Sequence, residues 1–244
     1  MKKLLLISAA LCLLATSAFA SGVDLVVTAC PGNAGSSNDA GSLDCAGGAT
    51  LILLGVFQPA EAITDLVAAD AILDFTVTGG DLNAPSAAFW DLQTNNSAAL
   101  NGASGRPATL CVGYNNAFGV ANSGFAAAAA VQASNRVRVA TTSYRPSNLN
   151  AALNQKIFGF QLLLDLSTSA EASGAGGNGC MLPIAFALEQ IVPGSAANNP
   201  VTTLTSGATN PSPSATSQVV LANTSGQPVP AARHSWGQLK SLYR

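Results

Sequence analysis

Short apolar segments separated by turn residues run along most of the chain. Residues 50–57 are apolar almost throughout, which is typical of a buried strand. Residues 136–140 alternate charged and apolar side chains, which predicts one wet face and one buried face. Further segments of strand length and apolar or β-branched composition are 23–28, 69–77, 157–164 and 184–191. Together they predict an all-β protein, an antiparallel β-sandwich of jelly-roll or immunoglobulin-like outline.

Segments 157–164 and 184–191 flank a Ser/Gly-rich excursion at residues 167–179. We expect the two segments to pair as an antiparallel hairpin in the sandwich core, with the excursion as its loop. Helical periodicity is scarce in the chain. The alanine run at residues 126–130 has high helix propensity, but a segment this short is marginal as a helix without packing.

The first twenty residues have the pattern of a secretory leader. Lys2 and Lys3 precede an apolar stretch at residues 4–15, and Ala18-Phe19-Ala20 is a small-x-small cleavage motif. The stretch is shorter than the roughly 18–20 residues that a membrane span needs. We therefore expect residues 1–20 to be a cleaved signal peptide. The mature protein should have no membrane span and be exported to the periplasm, the cell surface or the extracellular space.

Composition divides the rest of the chain into three parts. Residues 21–193 hold most of the strand signals and form the predicted sandwich domain. Ser, Thr, Asn, Pro and Ala dominate residues 194–232, which predicts a linker. Within it, segments 201–204 and 218–221 have the composition of edge strands, which would extend the domain to about residue 222. Residues 233–244 form an amphipathic tail.

In this tail, Trp236, Leu239, Leu242 and Tyr243 recur at the spacing that places them on one side of a short helix. Ser235 is a suitable N-cap for that helix. A helix of this length is not stable alone in water, so its apolar side needs a cover. We expect the tail to dock either on the body of this chain or on another protein, such as an export or surface-attachment component.

Four cysteines follow the leader, namely Cys30, Cys45, Cys111 and Cys180. An even number in an exported chain predicts two disulfides, for which three connectivities exist. We favour Cys30–Cys45 with Cys111–Cys180, because the first pair would close the turn-rich stretch between its members. No Cys-x-x-Cys spacing occurs, so a zinc site is disfavoured and no cofactor is predicted.

Charge is sparse and unevenly distributed. Charged residues make up 9% of the chain, against roughly 25% in ordinary soluble domains. Residues 21–232 carry five basic side chains and all twelve acidic ones, a net charge of −7. The sequence shows no dense cluster of basic residues, so nucleic acid is not an expected partner.

Candidate catalytic groups are few. The single histidine, His234, lies in the tail, which argues against Ser-His or Cys-His catalysis and against a histidine metal site. Asp70 and Asp74 share one face of a predicted strand, about 13 Å apart, wider than the roughly 5–9.5 Å between glycosidase carboxylates. Asp81 or Asp91 would supply a closer partner in three dimensions. A small carboxylate-dependent glycan hydrolase or lyase therefore stays as an alternative.

Two aromatic residues lie close to amides along the chain. Trp90 precedes Asn95-Asn96, and Tyr114 precedes Asn115-Asn116. Exposed rings among amides would form a sugar-stacking platform, whereas a tryptophan at a strand end is more often part of the core. A carbohydrate-binding module is therefore a second alternative.

The loop between Cys30 and Cys45 contains a weak calcium candidate. Asn38, Asp39 and Asp44 offer side-chain oxygens in a loop, which Ca²⁺ requires. Their spacing does not follow the EF-hand pattern, and such residues usually cap their own backbone in turns. We therefore predict no metal site from them.

Several segments together resemble a known group of proteins. They are residues 65–74, Phe89-Trp90, 135–139, 158–162, Gly179-Cys180 with Pro183, and the ending at 235–244. In these the chain resembles uncharacterised exported bacterial proteins with a leader, a β-rich body and a Trp-Gly-x-x-Lys-x-Leu-Tyr-Arg ending. The group has no assigned activity, so the resemblance implies export and a β-rich fold and transfers no functional residue.

The leading hypothesis is an exported, non-catalytic extracellular or envelope protein with a structural, adhesive or assembly role. Export, sparse charge, a β-sandwich and the scarcity of catalytic groups favour it. Its expected partner is another protein or a cell-surface glycan.

Overall fold

Eleven strands form within the residues that the computed structural model describes, which are 22–59, 61–94, 97–169, 179–197, 203–205 and 218–224. In chain order they are β1 Gly22–Val27, β2 Asp39–Gly41, β3 Thr50–Gln58, β4 Ile63–Val77, β5 Leu100–Ala103, β6 Gly124–Ala133, β7 Arg136–Ala151, β8 Ile157–Asp165, β9 Ile184–Ser195, β10 Leu204–Thr205 and β11 Val219–Ala222. Short 3-10 helices occur at Pro85–Trp90, Ser97–Ala99 and Leu166–Thr168. The predicted leader and the tail with its predicted helix lie outside the described residues.

The strands form two sheets with the main core between them. The small sheet has four strands in the order β1-β3-β8-β5. The large sheet has seven, in the order β2-β11-β9-β4-β7-β6, with β10 also paired to β9. Paired strands are antiparallel except β2 and β11, which are parallel. The prediction of an all-β sandwich is confirmed.

The small sheet is buried on both of its faces. Leu53 and Phe57 of β3 belong to the main core, whereas Leu54 and Val56 belong to a second core on the opposite side. The second core consists of Val26, Cys30, Leu54, Val56, Cys111, Tyr114 and Phe158. Burial on both faces explains the unbroken apolar run at residues 50–57, and the prediction of a buried strand there is confirmed.

Strand β7 shows the alternation that its sequence predicts. Val137 and Val139 are buried in the main core, while Arg136 is exposed and Arg138 partly exposed on the other face. The strand continues well past residue 140, to Ala151, and pairs with both β4 and β6.

The predicted hairpin of 157–164 with 184–191 is wrong, because the two segments lie in different sheets. Strand β8 pairs with β3 and β5, and strand β9 pairs with β4. A glycine explains why β8 fits β3: a Cβ on Gly55 would lie 2.2 Å from the Phe160 ring, so only glycine leaves room for that ring.

The alanine run at 126–130 is the middle of strand β6. It pairs with β7 residue by residue, with Ala128 opposite Ala140. Cross-strand hydrogen bonds to β7 therefore override the helix propensity of alanine.

Two short strands follow residue 197. β10 shares Leu204 with the segment predicted at 201–204, and β11 overlaps the one predicted at 218–221. Both pair with β9. β11 is not at an edge, because β2 lies beyond it in the large sheet.

The disulfides join Cys30 to Cys111 and Cys45 to Cys180, with Cα–Cα distances of 4.7 and 6.2 Å. Two disulfides are confirmed, but the favoured pairing Cys30–Cys45 with Cys111–Cys180 is wrong. Between Cys30 and Cys45 the chain leaves the small sheet, which contains β1, and joins the large sheet as β2. Cys30 lies just after β1, and its N–H donates to the carbonyl oxygen of Leu110, next to Cys111. The Cys45 carbonyl oxygen accepts from the Ser169 hydroxyl, so the two cysteines lie in different surroundings.

Among the described residues, no helix is long and apolar enough to cross a membrane.

Candidate functional site

Trp90 is part of the main core. Its side chain is 1% exposed, and its Nε1–H donates a hydrogen bond of 2.8 Å to the Gly179 carbonyl oxygen. Its ring packs edge-on against Phe89 and Phe186, with centroid distances of 4.8 and 5.7 Å. A buried indole whose N–H is bonded inside the protein offers no surface to a sugar.

Tyr114 is part of the second core. Its side chain is 7% exposed, and its hydroxyl donates a hydrogen bond of 3.1 Å to the Pro31 carbonyl oxygen. The Lys156 Nζ lies 5.6 Å from the ring centroid. Burial, and then the negative charge of Asp24, raise the pKa of Tyr114 above its ordinary range. The sequence-based alternative of a sugar platform at Trp90 or Tyr114 is therefore wrong.

The calcium candidates are used in backbone turns. Asp39 Oδ1 accepts the Gly41 N–H, and Asp44 Oδ1 accepts the Gly47 N–H, both at 2.8 Å. The main-chain oxygen of Asn38 accepts from the Leu221 N–H at 3.0 Å. No group of three His, Cys, Asp or Glu side chains suited to a metal occurs in the described part of the chain. Asp39 and Asp44 therefore cap backbone turns, and Asn38 bonds to β11 through its main chain.

Asp81 and Asp91 also cap turns. Asp81 Oδ1 accepts the Asn83 N–H at 3.0 Å, and Asp91 Oδ1 accepts the Thr94 N–H at 3.1 Å. Each carboxylate therefore bonds to the main chain two or three residues further on, a local role typical of aspartate in turns.

Asp70 and Asp74 lie on the outward face of β4 and bond to β7. Asp74 accepts two hydrogen bonds from Arg138, of 2.8 and 2.9 Å, and Arg136 Nη1 lies 3.7 Å from Asp74 Oδ2. Asp70 accepts a hydrogen bond of 2.6 Å from the Thr142 hydroxyl. The hydrogen bond to Asp74 raises the pKa of Arg138. The predicted same-face placement is correct, and both carboxylates serve the pairing of β4 with β7.

The outward face of β6, β7 and β4 is a surface of mostly short side chains, which we call the outer platform. The strand register aligns its residues in three rows, each running from β6 through β7 to β4: Ala126, Thr142 and Asp70; Ala128, Ala140 and Ile72; Ala130, Arg138 and Asp74. The alanines are exposed, and each charged side chain in these rows is bonded to a neighbouring strand: Asp70 accepts from Thr142, and the buried Asp74 forms an ion pair with Arg138. These mostly short side chains leave the face accessible to another macromolecule.

Tyr144 is the large side chain at one end of the outer platform. It is 48% exposed and lies opposite Gly124 of β6. A Cβ on Gly124 would lie 2.2 Å from the Tyr144 ring, so the ring lies directly over the glycine. This contact holds the tyrosine against the sheet and covers the strand where it lacks a side chain.

Strand β6 is the outermost strand of the large sheet. The Val131 N–H points away from β7 and donates to Gln93 Oε1 at 2.7 Å. Along an antiparallel strand, the N–H and C=O groups of successive residues point alternately toward and away from a neighbouring strand. Those of Ala127 and Ala129 therefore also point away from β7. Among the described residues, none bonds to these groups. The middle of β6 is therefore an open sheet edge.

The other sheet edges are short or covered. β2 has three residues and β5 has four. β1 is buried along its whole length and lies against β9, β10 and β11. β5 also lies beside the beginning of β6, where Phe125 packs on Gly102. Among the edge strands of the described fold, β6 is therefore the one that is both long and exposed.

Sequence reasoning did not identify the outer platform or the β6 edge. Individual alanines carry no chemical signal, and the intrinsic preference of an alanine run is for a helix. The available signal was the context of the run: Phe125 and Val131 flank it, and no charged residue occurs from 107 to 135. The tail residues Trp236, Leu239, Leu242 and Tyr243 lie outside the described residues.

Comparison with known proteins gives little similarity. No family model matches the chain, and no curated protein matches it. One solved structure that is similar is a cohesin module from a family 33 glycoside hydrolase of Clostridium perfringens ATCC13124, at 8% sequence identity and a TM-score of 0.29. The match covers 76% of this chain and 90% of that one.

Proposed function

We propose that this protein is an exported, non-catalytic domain of the extracellular space or cell envelope, with a structural, adhesive or assembly role. The observation that carries the proposal is the outer platform, a broad surface of short side chains that ends at an open strand edge. Contiguous exposed surface of this kind is typical of sites of contact with other macromolecules.

Two further features support export and the absence of catalysis. Both disulfides connect segments far apart in the sequence, and structural disulfides persist in oxidising compartments. The carboxylates considered for acid–base chemistry are engaged by cross-strand partners or by turns. Acid–base chemistry by two carboxylates requires both groups to face one substrate pocket.

Cell fractionation with the full chain tests this proposal. We expect the protein in the envelope or medium, with Cys30, Cys45, Cys111 and Cys180 protected from thiol alkylation before reduction. A Tyr144→Glu variant should reduce retention at the cell surface, while the control Leu153→Glu, at an exposed position away from the outer platform, should not. A cytoplasmic protein with free thiols, or equal retention of all forms, would contradict the proposal.

A second candidate function is carbohydrate binding through Tyr144. The exposed ring lies on the outer platform, two residues along β7 from Thr142, whose hydroxyl donates a hydrogen bond to Asp70 of β4. An aromatic surface and polar groups are therefore close together. Pull-down of wild type, Tyr144→Ala and Leu153→Ala on insoluble polysaccharides tests it. Binding lost only with Tyr144→Ala would support this function over assembly, and no binding by the wild type would remove it.

We also propose that residues 233–244 act as a docking element through Trp236, Leu239, Leu242 and Tyr243. A chain ending at Pro230 distinguishes its two expected targets. A lowered melting temperature would indicate docking on the body of this chain. An unchanged melting temperature with altered cellular location would indicate docking on an export or attachment component. If neither property changed, the proposal would be wrong.

A further inference from the structure

We propose that two copies of this chain associate through their β6 strands, which pair antiparallel about a twofold axis at Ala128 and join the two large sheets into one. This inference rests on the assembly role proposed above and names its partner as a second copy. The groups that would bond across the interface are the outward N–H and C=O groups of Ala127 and Ala129. The Val131–Gln93 hydrogen bond shows that Val131 points its N–H away from β7, and every second residue before it does the same.

The sequence of β6 is self-complementary about Ala128. Five alanines, residues 126–130, lie between Phe125 and Val131, so reversal of the strand leaves alanine opposite alanine. Twofold pairing at Ala128 places Ala127 opposite Ala129 of the second copy, and the outward main-chain groups of both residues then hydrogen-bond across the interface. Self-complementarity is what a twofold contact requires.

The edge also lacks the features that prevent such pairing in other proteins. Exposed edge strands are commonly protected by charged side chains, prolines or short length. Strand β6 is ten residues long, and it contains neither proline nor a charged residue. Ala126, Ala128 and Ala130 are exposed on the outer platform and too small to obstruct a neighbouring strand.

The ends of the open stretch set the register. At one end, Gln93 already occupies the Val131 N–H, and at the other, β5 lies beside Phe125. Between these ends, the main-chain groups without a bond to any described residue belong to Ala127 and Ala129, whose midpoint is Ala128. Other registers would move the hydrogen-bonding groups toward Gln93 or β5.

The test is the oligomeric state of the full mature chain with two lysine variants, measured by sedimentation equilibrium. In Ala128→Lys, the two lysines lie directly opposite each other at the twofold axis, so we expect dimerisation to weaken at least about tenfold. Ala140→Lys is the matched control, because Ala140 is the exposed cross-strand neighbour of Ala128 on the same face, one strand further from the edge. It should dimerise as the wild type does.

A cysteine variant tests the register directly. Residues opposite each other in a pair without mutual hydrogen bonds have Cα atoms about 4.5 Å apart, which is within disulfide range. Ala128→Cys should therefore give a covalent dimer under mild oxidation, while Ala140→Cys should not. Circular dichroism and melting temperature establish that each variant is folded.

Three results would overturn the inference: a monomeric wild type at tens of micromolar, a dimer unaffected by Ala128→Lys, or no covalent dimer from Ala128→Cys. A monomer that is still exported and retained at the cell through Tyr144 would overturn this inference alone and leave the proposed function standing. A dimer that remains in the cytoplasm would do the reverse.

Discussion

The outer faces of the two sheets differ in side-chain size and in cover. On the small sheet, Leu54, Val56 and Phe158 lie under the loop that contains Cys111 and Tyr114, and together they form the second core. On the large sheet, the outer platform consists of four alanines, Ile72, the hydrogen-bonded pair Thr142 and Asp70, and the ion pair of Arg138 with Asp74. Large apolar side chains require burial, whereas short ones leave a face free for a partner. The covered face therefore serves stability, and the open face is the one available for binding.

The largest expected effect comes from uncovering the small sheet. Replacement of Cys30 and Cys111 with serine should lower the free energy of unfolding by about 4 kcal/mol, since the disulfide closes a long loop and anchors the covering loop. Urea unfolding measures the loss. Hydrogen exchange should also speed up at residues 110–114, and this local effect should be absent in the control with Cys45 and Cys180 replaced. Equal exchange in the two variants would show that the disulfide does not hold the cover.

A smaller effect is expected from single side chains on the two faces. Phe158→Ala removes a fully buried ring from the second core and should cost about 3–4 kcal/mol. Ile72→Ala, on the outer platform, should cost less than about 1.5 kcal/mol because Ile72 is only partly buried. Urea midpoints of both variants measure the difference. Similar losses would mean that the outer platform is covered as the small sheet is.

Adjacent threonines of β7 sharpen the contrast between inside and outside. Thr141 is buried, and its hydroxyl has no partner among the described residues, whereas the Thr142 hydroxyl donates to Asp70. Thr141→Val should raise the free energy of unfolding by about 1 kcal/mol, because a buried hydroxyl without a hydrogen bond is costly. Thr142→Val should lower it by about 0.5–1 kcal/mol. Thermal unfolding gives both signs, and a loss with Thr141→Val would point to a polar partner inside the core.

The smallest effect is confined to alkaline pH. The pKa of Tyr114 is raised in the folded protein, so the unfolded chain loses this proton first as pH rises. The stabilising contribution is therefore complete below about pH 10 and decreases above it. Tyr114→Phe should flatten the fall in the urea midpoint between about pH 9.5 and 11.5. If the urea midpoints of the variant and the wild type fell in parallel with pH, ionisation of Tyr114 would not contribute to the pH dependence of stability in this range.

Part of the candidate site followed from the sequence, and part did not. The spacing of Asp70 and Asp74 predicted a shared face correctly, because strand geometry alone decides it. Their partners Thr142 and Arg138 did not follow, since the pairing of β4 with β7 depends on register between distant segments. Trp90 and Tyr114 were ambiguous for the same reason: the position of an aromatic residue relative to the core depends on the packing of other elements.

For β1, β3, β4, β7, β8 and β9, though not for β2, β5 or β6, the sequence by itself determined that a strand forms. It also determined the burial of β3 and the one-sided burial of β7. These properties follow from the period of apolar residues within one segment. Only the tertiary structure decided which strands pair, which cysteines join and which alanines form an open edge. Those outcomes depend on contacts between segments far apart in the chain, such as Cys45 with Cys180 and the Phe160 ring over Gly55. The sequence pattern is local, whereas the free energy of packing that selects among pairings is shared by the whole fold.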